Sequence, residues 1–334
     1  MGGLFSFFKK KNAEPAEAPA VSVLPAEFAG PFSIRDGMPA PDWPAVWRAA
    51  ESLPSANRRQ FSEEITAKWL NELVEVLGNG YMVYEADGYF FASQERKDYA
   101  IAMMKYARTV KAAIIEDLPG IVQENNGDCQ TVILQFEDRD LYTNYLGLHL
   151  NPIPVEVPGA FTVRAGGYPH TIIPSMHSEQ YRRILAHEMT HLMTTHLPLP
   201  YWLDEIIAVR MERIGGEGGS NYLEKDYLDR HKAYWNSETI QDFWYGVSFQ
   251  LPNAGLLSYS LASVLMSLAS RDWTAFVEFA TEANKSDGGA AAAKKYLGKP
   301  LGELLEEYLG PGDWEPKPYV MHDRKADLIE EDAE

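Results

Sequence analysis

Residues 187 to 191 read His187-Glu188-Met189-Thr190-His191, the pattern H-E-x-x-H. Histidines at i and i+4 lie about 40° apart around an α-helix axis, so both imidazoles project from one face. Two neutral imidazoles at that spacing supply two corners of a tetrahedral zinc site. Glu188 sits beside them, where a carboxylate can take a proton from an attacking water and deliver it to a leaving group. A chance pentapeptide on an ordinary helix would read the same, so a third ligand decides the matter. The extended pattern H-E-x-x-H-x-x-G-x-x-H is absent, because Thr194 stands at its glycine and Leu197 at its final histidine. His196 lies nine residues after His187, about 180° round the helix, and fits a surface or last-turn histidine that complements the helix dipole.

The elements that must hold these groups follow from local signals. Ser178 is the expected N-cap, Glu179 suits the first turn, and Leu185, Met189 and Leu192 form an apolar side. Pro198 and Pro200 stop the helix near Leu197 and turn the chain back. A second helix then begins in Tyr201-Trp202-Leu203-Asp204-Glu205. Glu205, near its start, could bring a carboxylate to the metal. Glu212, seven residues later on nearly the same face, could accept a proton from the far nitrogen of a ligand histidine. A solvated helix face is the alternative for both. Asp204 either orients a ligand or caps the helix, and the cap is the preferred reading. Cys129 is the one cysteine, so any metal must sit on histidine and carboxylate.

The run His187-Glu188-Met189-Thr190-His191, then Pro200-Tyr201-Trp202-Leu203-Asp204-Glu205, Ala208 and Glu212, resembles the gluzincin branch of zinc metallopeptidases. Within it the chain is most similar to the peptidase MA-like domains, with H-E-x-T-H followed by P-x-W-L-x-E-G-x-A-x-x-x-E. The resemblance implies one zinc ion per chain on His187, His191 and Glu205, Glu188 as general base, Glu212 behind the ligands, and a peptide or protein substrate. Ile206 stands where the family has glycine, and a bulky side chain there is expected to narrow the cleft or rotate Glu205. Related aminopeptidases carry a G-x-M-E-N strand whose glutamate holds the substrate amino terminus. The comparable stretch here, Gly159-Ala160-Phe161-Thr162-Val163, has no acid, so a free-amine clamp is not supported. For the oxyanion formed on the attacked amide, Tyr259 is the first choice of donor, because it matches the family's Tyr-led downstream helix. Tyr245 and His231 are alternatives, and Tyr259 could equally pack in the core.

Around the motif, Phe61, Ile65, Trp69, Leu73 and Leu77 recur every four residues and predict a helix stopped by Gly78-Asn79-Gly80. Tyr81 to Ala92, broken by Asp87-Gly88, reads as a hairpin. A long helix from about Glu95 to Ile115, a strand at Thr131 to Phe136, a short helix near Asp138 to Leu146, and short strands at Phe161-Thr162-Val163 and Thr171-Ile172-Ile173 follow. After Ser178 the pattern is helical to Leu309. Strands first and helices afterwards point to α+β, and the resemblance narrows this to a zincin-like fold: a mixed sheet with its edge strand packed on the H-E-x-x-H helix, then a mostly helical subdomain. The expected division is a leader and linker at 1–35, a helical extension at 36–80, a zincin-like unit at 81–313 split at 197/198, and an acidic tail at 314–334. An extended substrate would lie along the edge strand. Gly215-Gly216-Glu217-Gly218-Gly219 lacks the Lys-Ser/Thr ending of a phosphate loop and reads as a flexible loop.

Composition sets the outer limits. The 334 residues are 46% hydrophobic, enough for a large core and too apolar for a disordered chain. With 30 Lys and Arg against 48 Asp and Glu the net charge is −18, which argues against nucleic acid as partner. A single cysteine excludes a disulfide scaffold and suits a reducing, cytoplasmic location. No apolar run approaches the roughly 20 residues of a membrane span. Gly2 with Ser6, followed by Lys9, Lys10 and Lys11, matches a myristoylation pattern that could give peripheral membrane contact, although a short leader on a cytosolic protein is the preferred reading. Against the peptidase reading stand two others: a zincin scaffold kept for protein binding without catalysis, and a hydrolase of non-peptide substrates.

Overall fold

The computed structural model describes residues 22–123, 129–150, 159–163, 167–216 and 227–318. Its strands and first helices are β1 (Ile34–Arg35), β2 (Met38–Pro39), α1 (Trp43–Ser52), α2 (Ser55–Leu77), β3 (Met82–Ala86), β4 (Tyr89–Ser93), α3 (Lys97–Asp117), β5 (Thr131–Phe136), α4 (Arg139–Gly147), β6 (Phe161–Val163) and β7 (His170–Pro174). Then come α5 (Ser178–Met193), α6 (Tyr201–Met211), a 3-10 turn at Glu212–Gly215, α7 (Tyr227–Tyr234), α8 (Thr239–Trp244), a 3-10 turn at Val247–Gln250, α9 (Gly255–Ala269), α10 (Trp273–Glu282), α11 (Ala290–Ala292) and α12 (Leu301–Leu309). The architecture is mixed α+β, as the order of patterns in the sequence implied.

Five strands form one sheet in the order β3-β4-β5-β7-β6. β4, β5 and β7 run parallel in the centre, and β3 and β6 pair antiparallel at the two edges. The β3–β4 hairpin turns on Asp87 and Gly88, both at positive φ (52° and 80°), the two-residue turn whose twist matches the flanking strands. Successive strand residues face opposite sides. Phe91, Ile133 and Ile173 belong to one core with α3 and α5, while Phe90, Val132, Leu134 and Ile172 belong to another with α1, α2 and α4. Burial on both faces explains why Thr131 to Phe136 reads as a continuous apolar run rather than an alternating one.

The segment read as a separate helical extension is therefore one cover of the sheet. Phe61, Ile65, Trp69, Leu73 and Leu77 are all buried, and Gly78, Asn79 and Gly80 end α2 in the left-handed region. Within the stretch read as leader and linker (1–35), residues from Ser22 onward contact α2. The Val23 N–H donates to Glu64 Oε2 (3.1 Å), the Phe32 N–H donates to Glu72 Oε2 (2.9 Å), and the Phe28 and Phe61 rings meet at 5.8 Å. Two carboxylates on α2 satisfy backbone donors there, which composition cannot register. The leader's membrane-contact pattern lies outside the described residues.

The helical half closes around Trp202, which is fully buried, stacks on Phe243 (6.0 Å) and donates through Nε1 to the Gly288 carbonyl (3.0 Å). The tail is anchored where it begins: the Trp314 carbonyl accepts from Trp244 Nε1 (2.8 Å), and Glu315 Oε2 accepts from the Gly302 N–H (2.6 Å). Its acidic end lies outside the described residues. Among the described residues no helix is long and apolar enough to cross a membrane.

Candidate metal centre

α5 carries the H-E-x-x-H residues on its last turns. Its first helical residue is Ser178, so the capping position falls on His177, one residue before the expected cap. Leu185 and Met189 are buried against α3 and the sheet. Beyond Met193 the chain turns at Pro198 and Pro200, and α6 begins at Tyr201 and packs back against α5. That reversal carries Glu205 to the two histidines.

Three side chains converge. His187 Nε2 and His191 Nε2 are 3.1 Å apart. Glu205 Oε2 lies 3.5 Å from His187 Nε2, and Glu205 Oε1 lies 3.4 Å from His191 Nε2. A tetrahedral ion with bonds of about 2.0–2.1 Å holds its ligand atoms about 3.3–3.4 Å apart, so the two nitrogens, and each nitrogen with the carboxylate oxygen nearer to it, have spacings close to a tetrahedral edge. The far nitrogens sharpen the case. His187 Nδ1 faces Glu212 Oε1 at 3.0 Å, and His191 Nδ1 faces Asp204 Oδ2 at 3.0 Å. An ionised carboxylate only accepts, so each Nδ1 carries a ring hydrogen, and in the neutral ring each Nε2 then presents a lone pair. Two lone pairs and a carboxylate oxygen at these distances repel one another unless a cation sits between them. His187, His191 and Glu205 form a group that could hold a metal ion.

The carboxylate behind each histidine is itself held in place. Glu212 Oε2 accepts from Arg183 Nη2 (3.1 Å), and Asp204 Oδ1 accepts from Thr194 Oγ1 (3.1 Å). Asp204 thus orients His191, which overturns the preferred reading of it as a helix cap. Pro200 occupies the cap position of α6, with no side-chain bond. Electrostatics follows the geometry. Burial alone would depress the His187 pKa, but hydrogen bonds to Glu205 and Glu212 and the charge of Glu205 and Glu188 raise it. Burial would raise Glu205, yet the charge of His191, contacts with His187 and the Tyr259 hydrogen bond bring it down. Without a metal, the cluster draws a proton to the same place.

No family model matches the chain, and no curated protein matches it.

Glu188 is 6% exposed, and its Oε2 accepts from Thr162 Oγ1 at 2.7 Å. Tyr259 also reaches the cluster, where its hydroxyl donates to Glu205 Oε2 (3.0 Å). Tyr245 instead donates to the Lys317 carbonyl, and His231 is buried between Tyr227 and Tyr308. His196 lies beyond the end of α5 and is exposed, a surface histidine. Ile206 is 3% exposed and belongs to the core that also holds Trp202 and Leu261.

Sequence reasoning missed Thr162, Arg183, Thr194 and Gly215. Gly215 belongs to the segment read as a flexible loop, whose residues from 217 lie outside the described residues. It is buried, and a Cβ on it would fall 2.5 Å from the Arg183 backbone nitrogen. Only glycine lets the Glu212–Gly215 turn press onto α5 and bring Glu212 to His187. Arg183 was detectable in principle, since it sits one turn before His187 on the same face. The other three depend on contacts between elements.

Proposed function

We propose that this protein is a zinc-dependent peptidase on a zincin-like framework, with His187, His191 and Glu205 as ligands and Glu188 as general base. One observation carries the proposal. Two Nε2 lone pairs and a carboxylate converge at 3.1–3.5 Å, with both rings fixed from behind by Glu212 and Asp204. The sheet edge at β6 along α5, followed by a helical half, supports the zincin-like reading.

What zinc contributes when bound is Lewis acidity, which lowers the pKa of a water and polarises a carbonyl. The chain's own residues do the rest. Glu188 takes the proton of the attacking water and returns it to the leaving amine. Tyr259 stands close enough to the ligand set to donate toward the oxyanion, once its hydroxyl leaves Glu205. β6 offers an edge along which an extended peptide can pair. The single cysteine favours a reducing compartment, and a cytoplasmic location is part of the proposal.

The test is metal analysis combined with Glu188→Gln. Wild type purified under metal-replete conditions should contain about one zinc per chain. The variant should keep that zinc and lose hydrolysis of a peptide library by about a hundredfold or more. Absence of zinc with His187 and His191 intact sinks the metal site. A zinc-loaded wild type that cleaves nothing in the library sinks the peptidase.

A further inference from the structure

β6 does more than form an edge. Thr162 at its centre is 5% exposed and pairs in register with Thr171 of β7. Its side chain projects onto α5, where Oγ1 lies 2.7 Å from Glu188 Oε2 and 3.0 Å from the Glu188 carbonyl oxygen. Thr171 Oγ1 lies 3.3 Å behind it. The donor order follows from chemistry. An ionised carboxylate has no hydrogen to give, so the single Thr162 hydroxyl hydrogen goes to Glu188 Oε2, the shorter contact, with the Glu188 carbonyl at most sharing it, and Thr171 donates to Thr162. A valine would satisfy the strand and the packing equally well. The hydroxyls are buried, and a buried hydroxyl is costly unless it is used.

We propose that Thr162 is a positioning residue for the general base: its hydroxyl, oriented by Thr171, holds the Glu188 carboxylate in register with the edge strand. Glutamate has three rotatable side-chain bonds, and a helix alone does not select one orientation for its carboxylate. The strand does so here, tying the base to the element along which substrate would pair. The inference rests on the zinc-peptidase reading, and its test is chosen to fail separately from it.

The variants are Thr162→Val, Thr162→Ser and Thr171→Val. The first readout is zinc content. The second is calorimetric affinity of the zinc-loaded protein for acetohydroxamate, a small chelator with polar hydrogens and no peptide specificity. Zinc should stay at about one per chain in all variants. Acetohydroxamate affinity should fall about tenfold in Thr162→Val, the loss of one hydrogen bond to a charged group, and return to within about threefold of wild type in Thr162→Ser. Thr171→Val, which removes only the orienting hydroxyl, should give a smaller loss and serves if Thr162→Val does not fold. Equal affinity in Thr162→Val and wild type overturns the positioning role, as does a serine variant that falls as far as the valine. A wild type that takes up no zinc overturns the peptidase reading, and this inference with it.

Discussion

Replacing Glu212 with Gln probes how the ligand histidines are fixed. Glu212 spends Oε1 on His187 Nδ1 (3.0 Å) and Oε2 on Arg183 Nη2 (3.1 Å), so both oxygens must accept. An amide has one acceptor and one donor group. With its oxygen toward His187, its NH₂ faces the Arg183 guanidinium, donor against donor. With its oxygen toward Arg183, its NH₂ faces His187 Nδ1, which must then accept. The ring hydrogen moves to Nε2, and the lone pair facing His191 Nε2 at 3.1 Å is lost. Neither orientation keeps both contacts of the carboxylate: the first costs the Arg183 bond, the second the His187 tautomer. Glu212→Gln should therefore lose zinc affinity as Glu212→Ala does. Both should weaken zinc by about 10- to 100-fold, or about 1.4–2.7 kcal/mol. Competitive titration against a chromophoric chelator at fixed pH reads this directly, with melting temperature as a check on folding. Zinc affinity within about threefold of wild type in both variants would refute the reasoning. Loss in the alanine variant alone would show that a neutral acceptor suffices and that the tautomer argument is wrong.

Gly215→Ala should destabilise the protein by about 1–3 kcal/mol, because its Cβ would fall 2.5 Å from the Arg183 backbone nitrogen. It should also weaken zinc by displacing Glu212, and denaturant titration with the same chelator assay separates the two effects. Acid stability follows from buried histidines. Burial, with the charge of His149, lowers His170 to about 3, and burial, with Arg230, lowers His231 to about 4. Unfolded histidines titrate near 6.5, so the unfolded chain binds more protons below that pH. Their contribution is complete above about pH 6.5 and is lost as pH falls toward 4, at about 1.4 kcal/mol per pH unit for each group. Melting temperature should fall steadily across that window, and His170→Gln should reduce the slope; a flat profile in wild type would contradict the assignment.

Much of the site was legible because its signals are local. The spacing of His187 and His191 places two imidazoles on one helix face wherever that helix lies. Pro198 and Pro200 force a reversal, and Trp202 and Glu205 follow at an interval that returns a carboxylate toward them. The hairpin at Asp87-Gly88, the buried strand at Thr131 and the stop after Leu77 were equally readable, since each depends on neighbours in the chain. The contribution of the N-terminal residues was not. Ser22 to Phe32 bind α2 through Glu64 and Glu72, contacts about 40 residues apart that composition does not encode.

The sequence by itself named groups that could bind a metal and excluded a site built on several cysteines. Tertiary structure decided how they are held. Asp204 could cap a helix or orient a histidine by any local rule, and the packing of α6 back against α5 assigned it to His191. Thr162 is an ordinary strand residue until β6 runs beside α5 and its hydroxyl meets Glu188. Gly215 looks like loop until the turn carrying Glu212 lies against the Arg183 backbone. Periodicity describes one element at a time. Where two elements touch depends on how the whole core packs, and that is set by many residues acting together.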